Sequence, residues 1–383
     1  MINITDKKRC MGCHACLNIC PTKCISMVPD GEGFLYPKAD VKKCVDCHKC
    51  EQVCPIVHPV NQSENKPFGF GIYAKETQIQ ERGSSGGVFY LIASQIIADG
   101  GVVAGAAFTD RDEVSHIFVS SVEELDKICK SKYVQSSIGD AYERTKDYLQ
   151  GGITVLFSGT PCQIGGLIRY LGRPYDNLFL VDIVCHGVPS PALFKKYIGY
   201  QEEKNHSKIS AVTFRDKTYG WSRHSIRIDF VDGKQHVKPS LDDIYMKAYL
   251  KNLTIRPACF DCQFKSISRA SDITLADFWG VQKIAPDIKS DRGTSLIMIH
   301  TERGETLFNC IKNSVNYKAI DIQEATEYNC SMIKRPKEPQ NREEFIICVF
   351  ENGFEKADKI FLTDGFITKA KRKVGSFLRS LQK

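Results

Sequence analysis

One cysteine run occurs twice near the start of this chain, as Cys10-x2-Cys13-x2-Cys16-x3-Cys20-Pro21 and as Cys44-x2-Cys47-x2-Cys50-x3-Cys54-Pro55. Three cysteines at x2 spacing wrap a tight loop around one iron–sulfur cubane, and the x3 step opens a short helix that carries the fourth thiolate to a second cubane. That crossing predicts one [4Fe–4S] cluster on Cys10, Cys13, Cys16 and Cys54 and another on Cys44, Cys47, Cys50 and Cys20. Pro21 and Pro55 then redirect the chain, since proline fixes φ and restricts the residue before it. A pair of structural zinc knuckles also uses C-x2-C, but it explains neither the doubled four-cysteine run nor its terminal proline. Cys24 falls outside the register and reads as a small packed residue.

The doubled run resembles the bacterial two-cluster ferredoxin domain, to which residues 1–57 are assigned. At 383 residues the chain has room for two or three domains in all. Its 42% hydrophobic and 25% charged content is that of a soluble globular protein. Met1 to Arg9 holds no apolar signal core and no charge-free stretch reaches membrane-spanning length, so a cytoplasmic location is expected. Seventeen cysteines in a reducing compartment point to metal rather than disulfides. Six of the net +7 charges lie in residues 365–383, as Lys369, Lys371, Arg372, Lys373, Arg379 and Lys383 with no acids. The rest is nearly neutral, and no nucleic-acid partner is expected.

Residues 58–70, with Pro59, Asn61, Ser63, Asn65 and Pro67, read as a linker. Beyond them strand-like and helix-like segments alternate. Gly83-Ser84-Ser85-Gly86-Gly87 opens a helix expected over 88–97, and a strand is expected over 102–108. Buried strands at 153–157 and 178–184 bracket a helix over 163–171. Strands near 209–214 and 225–230 lie between helices at 192–203 and 242–252, with a hairpin signal at Asp232-Gly233. This alternation predicts an α/β (α+β) fold with a mixed sheet over 71–330, preceded by the small ferredoxin-like 2×[4Fe–4S] domain. Residues 331–383 are expected to form a helical extension. In it Ile367, Ala370, Val374, Phe377, Leu378 and Leu381 recur at helical spacing, predicting a basic amphipathic helix that either packs on its own domain or docks peripherally on the inner membrane surface.

Nine cysteines remain, and four stand in suggestive surroundings. Ser158-Gly159-Thr160-Pro161-Cys162-Gln163 follows a buried strand and opens a helix, whose dipole favours a thiolate at Cys162. Cys185-His186-Gly187 follows another strand end, and Cys259-Phe260-Asp261-Cys262 supplies a C-x2-C pair. By spacing alone these four fit a third cubane, a disulfide-capable redox pair or scattered core residues. Cys129, Cys310, Cys330 and Cys348 read as core residues.

Those segments, together with Ala276-Asp277-Phe278-Trp279-Gly280 and the two N-terminal runs, resemble the coenzyme F-420 (deazaflavin) hydrogenase/dehydrogenase beta-subunit family over roughly residues 5–330. The resemblance implies an iron–sulfur flavoprotein that carries FAD and moves electrons between clusters and a hydride carrier. It implies a third [4Fe–4S] cluster on Cys162, Cys185, Cys259 and Cys262. It also implies FAD contacts from Ser84, Ser85, Gly86 and Gly87, from Thr160, and from the Lys132-Tyr133-Val134-Gln135-Ser136 stretch. Lys132 would face phosphate and Gln135 the isoalloxazine edge. Taken alone, Ser84 to Gly87 is equally an anion-binding helix start or a capped helix with a close-packed glycine pair. The sequence lacks G-x-G-x-x-G, so a Rossmann dinucleotide site is not supported.

Arg215-Asp216-Lys217, with Trp221 and Arg223, suits either an anionic ligand or a solvated loop. His186 is placed either to tune a cluster or to pack. No residue identifies itself as a general acid, and the catalytic residues are unassigned. The expected function is an iron–sulfur flavoprotein oxidoreductase passing electrons from a reduced ferredoxin-type partner through the clusters to FAD and a hydride-accepting small molecule. Two alternatives stand beside it, a deazaflavin dehydrogenase/hydrogenase beta subunit and a non-catalytic electron-relay subunit.

Overall fold

The computed structural model describes residues 1–63 and 66–363. The expected amphipathic tail therefore lies outside the described residues. In the N-terminal unit both cysteine runs fold alike. His14 and His48, each following the second cysteine of its run, take left-handed angles of 61° and 58° in φ. Each turns the chain into a short helix, Ala15–Ile19 and Lys49–Gln52. Between the runs, β1 (Ile25–Pro29) and β2 (Leu35–Ala39) form an antiparallel hairpin.

The body contains β3 (Phe68–Ala74), β4 (Val102–Phe108), β5 (Val114–Val119), β6 (Val155–Gly159) and β7 (Leu178–Ile183). After these come β8 (Ile209–Asp216), β9 (Ser225–Phe230), β10 (Gln235–Pro239), β11 (Ile273–Asp277), β12 (Ser295–Ile299) and β13 (Val315–Ile320). Eight of them make one mixed sheet in the order β13-β3-β12-β11-β7-β6-β4-β5, and β8 to β10 make a small antiparallel one. Four adjacent strands, β11, β7, β6 and β4, run parallel. Parallel neighbours need a crossover, and the helices Ala141–Gln150 and Pro161–Leu171 supply two of them. Val155, Leu156 and Phe157 of β6 are fully buried because the sheet is covered on both faces. The mixed α/β architecture read from the sequence is the one observed.

Two expectations shift. β3 begins at Phe68, within the segment read as linker, because it pairs with β12 and β13 from far along the chain. The described part of the C-terminal extension is a structural element of the body: Phe345, Ile346, Val349 and Phe354 pack with Phe194, Tyr197, Phe214 and Tyr245 in one core. Among the described residues, no helix is long and apolar enough to cross a membrane.

Candidate electron-transfer site

Cysteines line three small cavities, four of the expected ligands to each. Cys10, Cys13, Cys16 and Cys54 line one, with Met11, Gly12 and Ile56. Cys20, Cys44, Cys47 and Cys50 line another. The third holds Cys162, Cys185, Cys259 and Cys262 with Phe264, Lys265 and Arg269. In each N-terminal run the first three thiols thus face one cavity and the fourth faces the other, which is the crossing that the x3 step requires. Cys24 is buried as expected, yet it shares the wall of the second cavity, its Sγ 3.4 Å from that of Cys20. Among the described residues, no three His, Cys, Asp or Glu side chains converge on a point suited to one metal ion. The thiols surround spaces instead, as a multi-iron cluster requires.

Burial governs the acidity of these thiols. It pushes Cys16 and Cys259 up to about 12, and Cys13 and Cys185 also rise. The helix start at Pro161 was expected to favour a thiolate at Cys162, but desolvation outweighs it and raises that thiol too, despite the Thr160 hydroxyl 3.1 Å from Sγ. A bound metal is what deprotonates such thiols.

The cavities lie in series. Cys16, Cys20, Cys44, Cys50 and Cys54 pack into one cluster of side chains joining the two N-terminal cavities. Met11 is a wall of both the Cys10 cavity and the Cys162 cavity, and Ile56, Ala258 and Phe264 fill the apolar layer around it. Thr160, Cys185, His186, Gly187 and Val188 are then common to the Cys162 cavity and to a larger one of about 430 Å³.

That larger cavity opens beyond the carboxyl ends of β4, β6, β7 and β11, the edge at which open parallel sheets place their ligands. Ser84, Ser85 and Gly87 line it together with Val88, Phe89 and Tyr90, the first turn of the helix Val88–Ala98. Gly87 caps this helix at φ 84°, and the first-turn N–H groups have no intrahelical partners. Ser85 Oγ is buried without a partner among the described residues, whereas Ser84 Oγ engages Ser131. Lys132 and Thr160 also line the cavity. Lys132 Nζ donates to the Cys129 carbonyl at 2.6 Å, and desolvation pulls its pKa down to about 7.

Two of the expected contacts lie elsewhere. Gly86 faces the sheet: its N–H donates to Ser295 Oγ at 2.9 Å, and a Cβ there would stand 2.5 Å from the Ile72 carbonyl. Gln135 faces the N-terminal unit, its Nε2 donating to the Met11 carbonyl at 3.0 Å and its Oε1 accepting from Arg256 at 2.9 Å. Its amide is committed there and does not reach the large cavity.

The basic and aromatic cluster is divided. β8 bulges at Arg215, which takes φ 60°, an uncommon angle for a residue with a Cβ. The bulge brings the guanidinium 2.5 Å from Asp277 Oδ1 in the cavity wall. The same carboxylate accepts from Trp221 Nε1 at 2.9 Å, and Trp221 stacks on Trp279 with centroids 4.9 Å apart. Lys217 is spent on the Gln80 and Ser85 carbonyls at 2.6 and 2.8 Å, and Arg223 lies outside, 3.6 Å from Asp242. His186 bonds to Asn252 at 2.6 Å and Ser331 at 3.2 Å from the shared wall. Sequence reasoning missed His116 and His224, which line the cavity as neutral rings because burial lowers them to about 4 and about 3. Neither has a local motif.

Residues 153–325 match the family model for the C terminus of the coenzyme F420 hydrogenase/dehydrogenase beta subunit. Residues 9–56 match the 4Fe-4S dicluster domain. No curated protein sequence matches the chain. Among solved structures, it is similar to a chain of the xenon-derivatised F420-reducing [NiFe] hydrogenase complex from Methanosarcina barkeri. The TM-score is 0.47 and the identity 14%, over 71% of this chain and 90% of that chain.

Proposed function

We propose, for a chain whose residues 153–325 match the model for the C terminus of the coenzyme F420 hydrogenase/dehydrogenase beta subunit and whose residues 9–56 match the 4Fe–4S dicluster domain, the role of electron-transferring subunit in an oxidoreductase that joins one-electron carriers to an organic two-electron carrier. The observation that supports it is the series of three thiol-lined cavities leading, wall by wall, to the large cavity at the carboxyl edge of the sheet. In this reading all twelve cysteines are cluster ligands in the sets given above, and electrons enter where Cys47 is exposed. A redox protein of ferredoxin type is the proposed partner there.

FAD is the group proposed for the large cavity, where, when bound, it would store two electrons and exchange a hydride. The residues present suit it. The first-turn N–H groups and the unpartnered Ser85 hydroxyl would hold its pyrophosphate, and Lys132 would add charge once an anion raises its pKa. Thr160 and His186 keep the reacting end within one wall of the Cys162 site. Coenzyme F420 is the proposed hydride partner, which the family match favours over an unrelated metabolite. The test is anaerobic turnover of the purified chain with coenzyme F420 and chemically reduced ferredoxin, with acid-released flavin measured on the same sample. Flavin with F420 turnover supports the reading; flavin with turnover only on another acceptor leaves the flavoprotein and removes the deazaflavin. Neither flavin nor turnover reduces the chain to a relay.

A further inference from the structure

Arg256 is 0% exposed and the largest of the fully buried side chains. Its Nε donates to the Cys10 carbonyl at 2.8 Å, Nη1 to Gln135 Oε1 at 2.9 Å and Nη2 to the Leu35 carbonyl at 2.9 Å. Nη2 also stands 3.7 Å from Cys10 Sγ, and the Tyr36 ring lies 4.3 Å from the guanidinium carbon. Every oxygen acceptor is neutral. Glu32, from the adjacent β1–β2 turn, is already paired with Arg342, and Arg256 has no ion-pair partner among the described residues.

An arginine stays protonated at any working pH, and a buried charge with no opposite charge is strongly destabilising. The group positioned to offset it is whatever occupies the Cys10 cavity. A cubane held by four thiolates is anionic, and one-electron reduction adds a further negative charge without making a bond or moving a proton. A cation hydrogen-bonded to a ligand sulfur stabilises the more negative state. Arg256 also opens the turn Pro257–Asp261 that carries Cys259, so one segment touches a ligand of one cavity and supplies a ligand of the next. The space for it is kept clear by Gly12, whose Cβ would lie 2.8 Å from Nη1.

We propose that Arg256 is the counter-cation of the cluster held by Cys10, Cys13, Cys16 and Cys54 and holds up its reduction potential at the junction with the body. This rests on the cluster assignment given above. Arg256 is a positioning residue, acting through the field at Cys10 Sγ.

The experiment is an EPR-monitored potentiometric titration of the anaerobically reconstituted full chain, with dithionite as reductant. The signal of the cluster in question is identified as the one altered by Cys13→Ser. In Arg256→Gln its reduction equilibrium constant should fall at least tenfold, ~59 mV for one electron, and Arg256→Lys should restore most of the loss. Gln135→Glu sets a carboxylate against Nη1 and should lower the same midpoint with the arginine in place, so the proposal stays testable if Arg256→Gln fails to fold. A wild-type spectrum with no signal sensitive to Cys13→Ser overturns the cluster assignment. A signal that is present but has the same midpoint in Gln135→Glu and in any folded Arg256→Gln overturns the role of Arg256 alone.

Discussion

Arg342 grips the carboxylate of Glu32 with two nitrogens, Nη1 at 3.0 Å from Oε1 and Nη2 on Oε2. The pair ties the helix Arg342–Asn352 to the β1–β2 turn across 310 residues of sequence. Arg342 Nε and Nη2 also donate to the Ile255 carbonyl at 3.2 and 2.8 Å, one residue before Arg256. The N-terminal unit is therefore held to the body by a shielded charge pair. Removing one partner of a fully buried pair costs about 3–5 kcal/mol, and Glu32 retains 18% side-chain exposure, so Glu32→Gln should cost about 2–3 kcal/mol. Denaturant unfolding measures the loss, and limited proteolysis should release the first 57 residues faster than in the wild type.

Iron counting tests the third thiol set. Three cubanes give about twelve irons per chain, and a Cys162→Ser/Cys259→Ser variant should retain about eight. Colorimetric iron and labile sulfide on the same anaerobic sample check both numbers. An unchanged count in the variant would remove the third cluster and leave the N-terminal pair intact.

For the proposed pyrophosphate site the informative position is Ser85. A change at Gly86 would drive a side chain into the Ile72 carbonyl and report on folding. Ser85 Oγ is buried at the cavity wall with no partner among the described residues, so Ser85→Asp places a carboxylate against the anion with less disturbance. Acid-released flavin should fall at least tenfold per chain while the iron content holds.

Lys132 makes anion binding depend on pH. Its folded pKa is depressed to about 7 from 10.5 by desolvation. An anion beside it raises that pKa, so binding takes up a proton wherever the free protein has lost one. Affinity for ADP, as a probe of the pyrophosphate end, should therefore weaken as pH rises above about 7, by at most tenfold per unit. In Lys132→Met that slope should vanish. The same shift affects folding: between about 7 and 10.5 the unfolded chain holds the proton that the folded one has released, so this group makes stability rise with pH over that window.

Much of this was legible in the sequence, and what was not shares a cause. The strand at Val102–Phe108 and the helix at Val88 were readable because glycines punctuate them and their apolar runs are local. The hairpin at Asp232-Gly233 was readable because a short glycine-bearing turn is a local signal; its loop runs from Val231 to Gly233, with the Phe230 N–H on the Lys234 carbonyl at 2.9 Å and Gly233 at φ 85°. β3 escaped notice because both of its partners, β12 and β13, lie more than two hundred residues away, and no local pattern announces a strand paired at that distance. Arg256 shows the same limit at the site: it sits three residues before Cys259 with no motif of its own, and its importance comes from Cys10, Leu35 and Gln135 meeting it in space. For Gln135 the family resemblance of the Lys132-to-Ser136 stretch implies a contact with the isoalloxazine edge, whereas its amide is engaged by Met11 and Arg256 on the other side of the segment. Arg215 was visible as a charge, but the bulge that aims it at Asp277 was not.

Cys47 is exposed while Cys16 and Cys50 are buried, and on the proposed assignment this ordering decides how the protein ages in air. Dioxygen meets the outermost thiolates first, since oxidative attack follows exposure, and corrosion should advance inward from the doorway. A preparation that has lost only its outermost cluster would then keep its inner wiring and about two thirds of its iron, yet pass no current from any partner, an open circuit whose remaining centres all look sound.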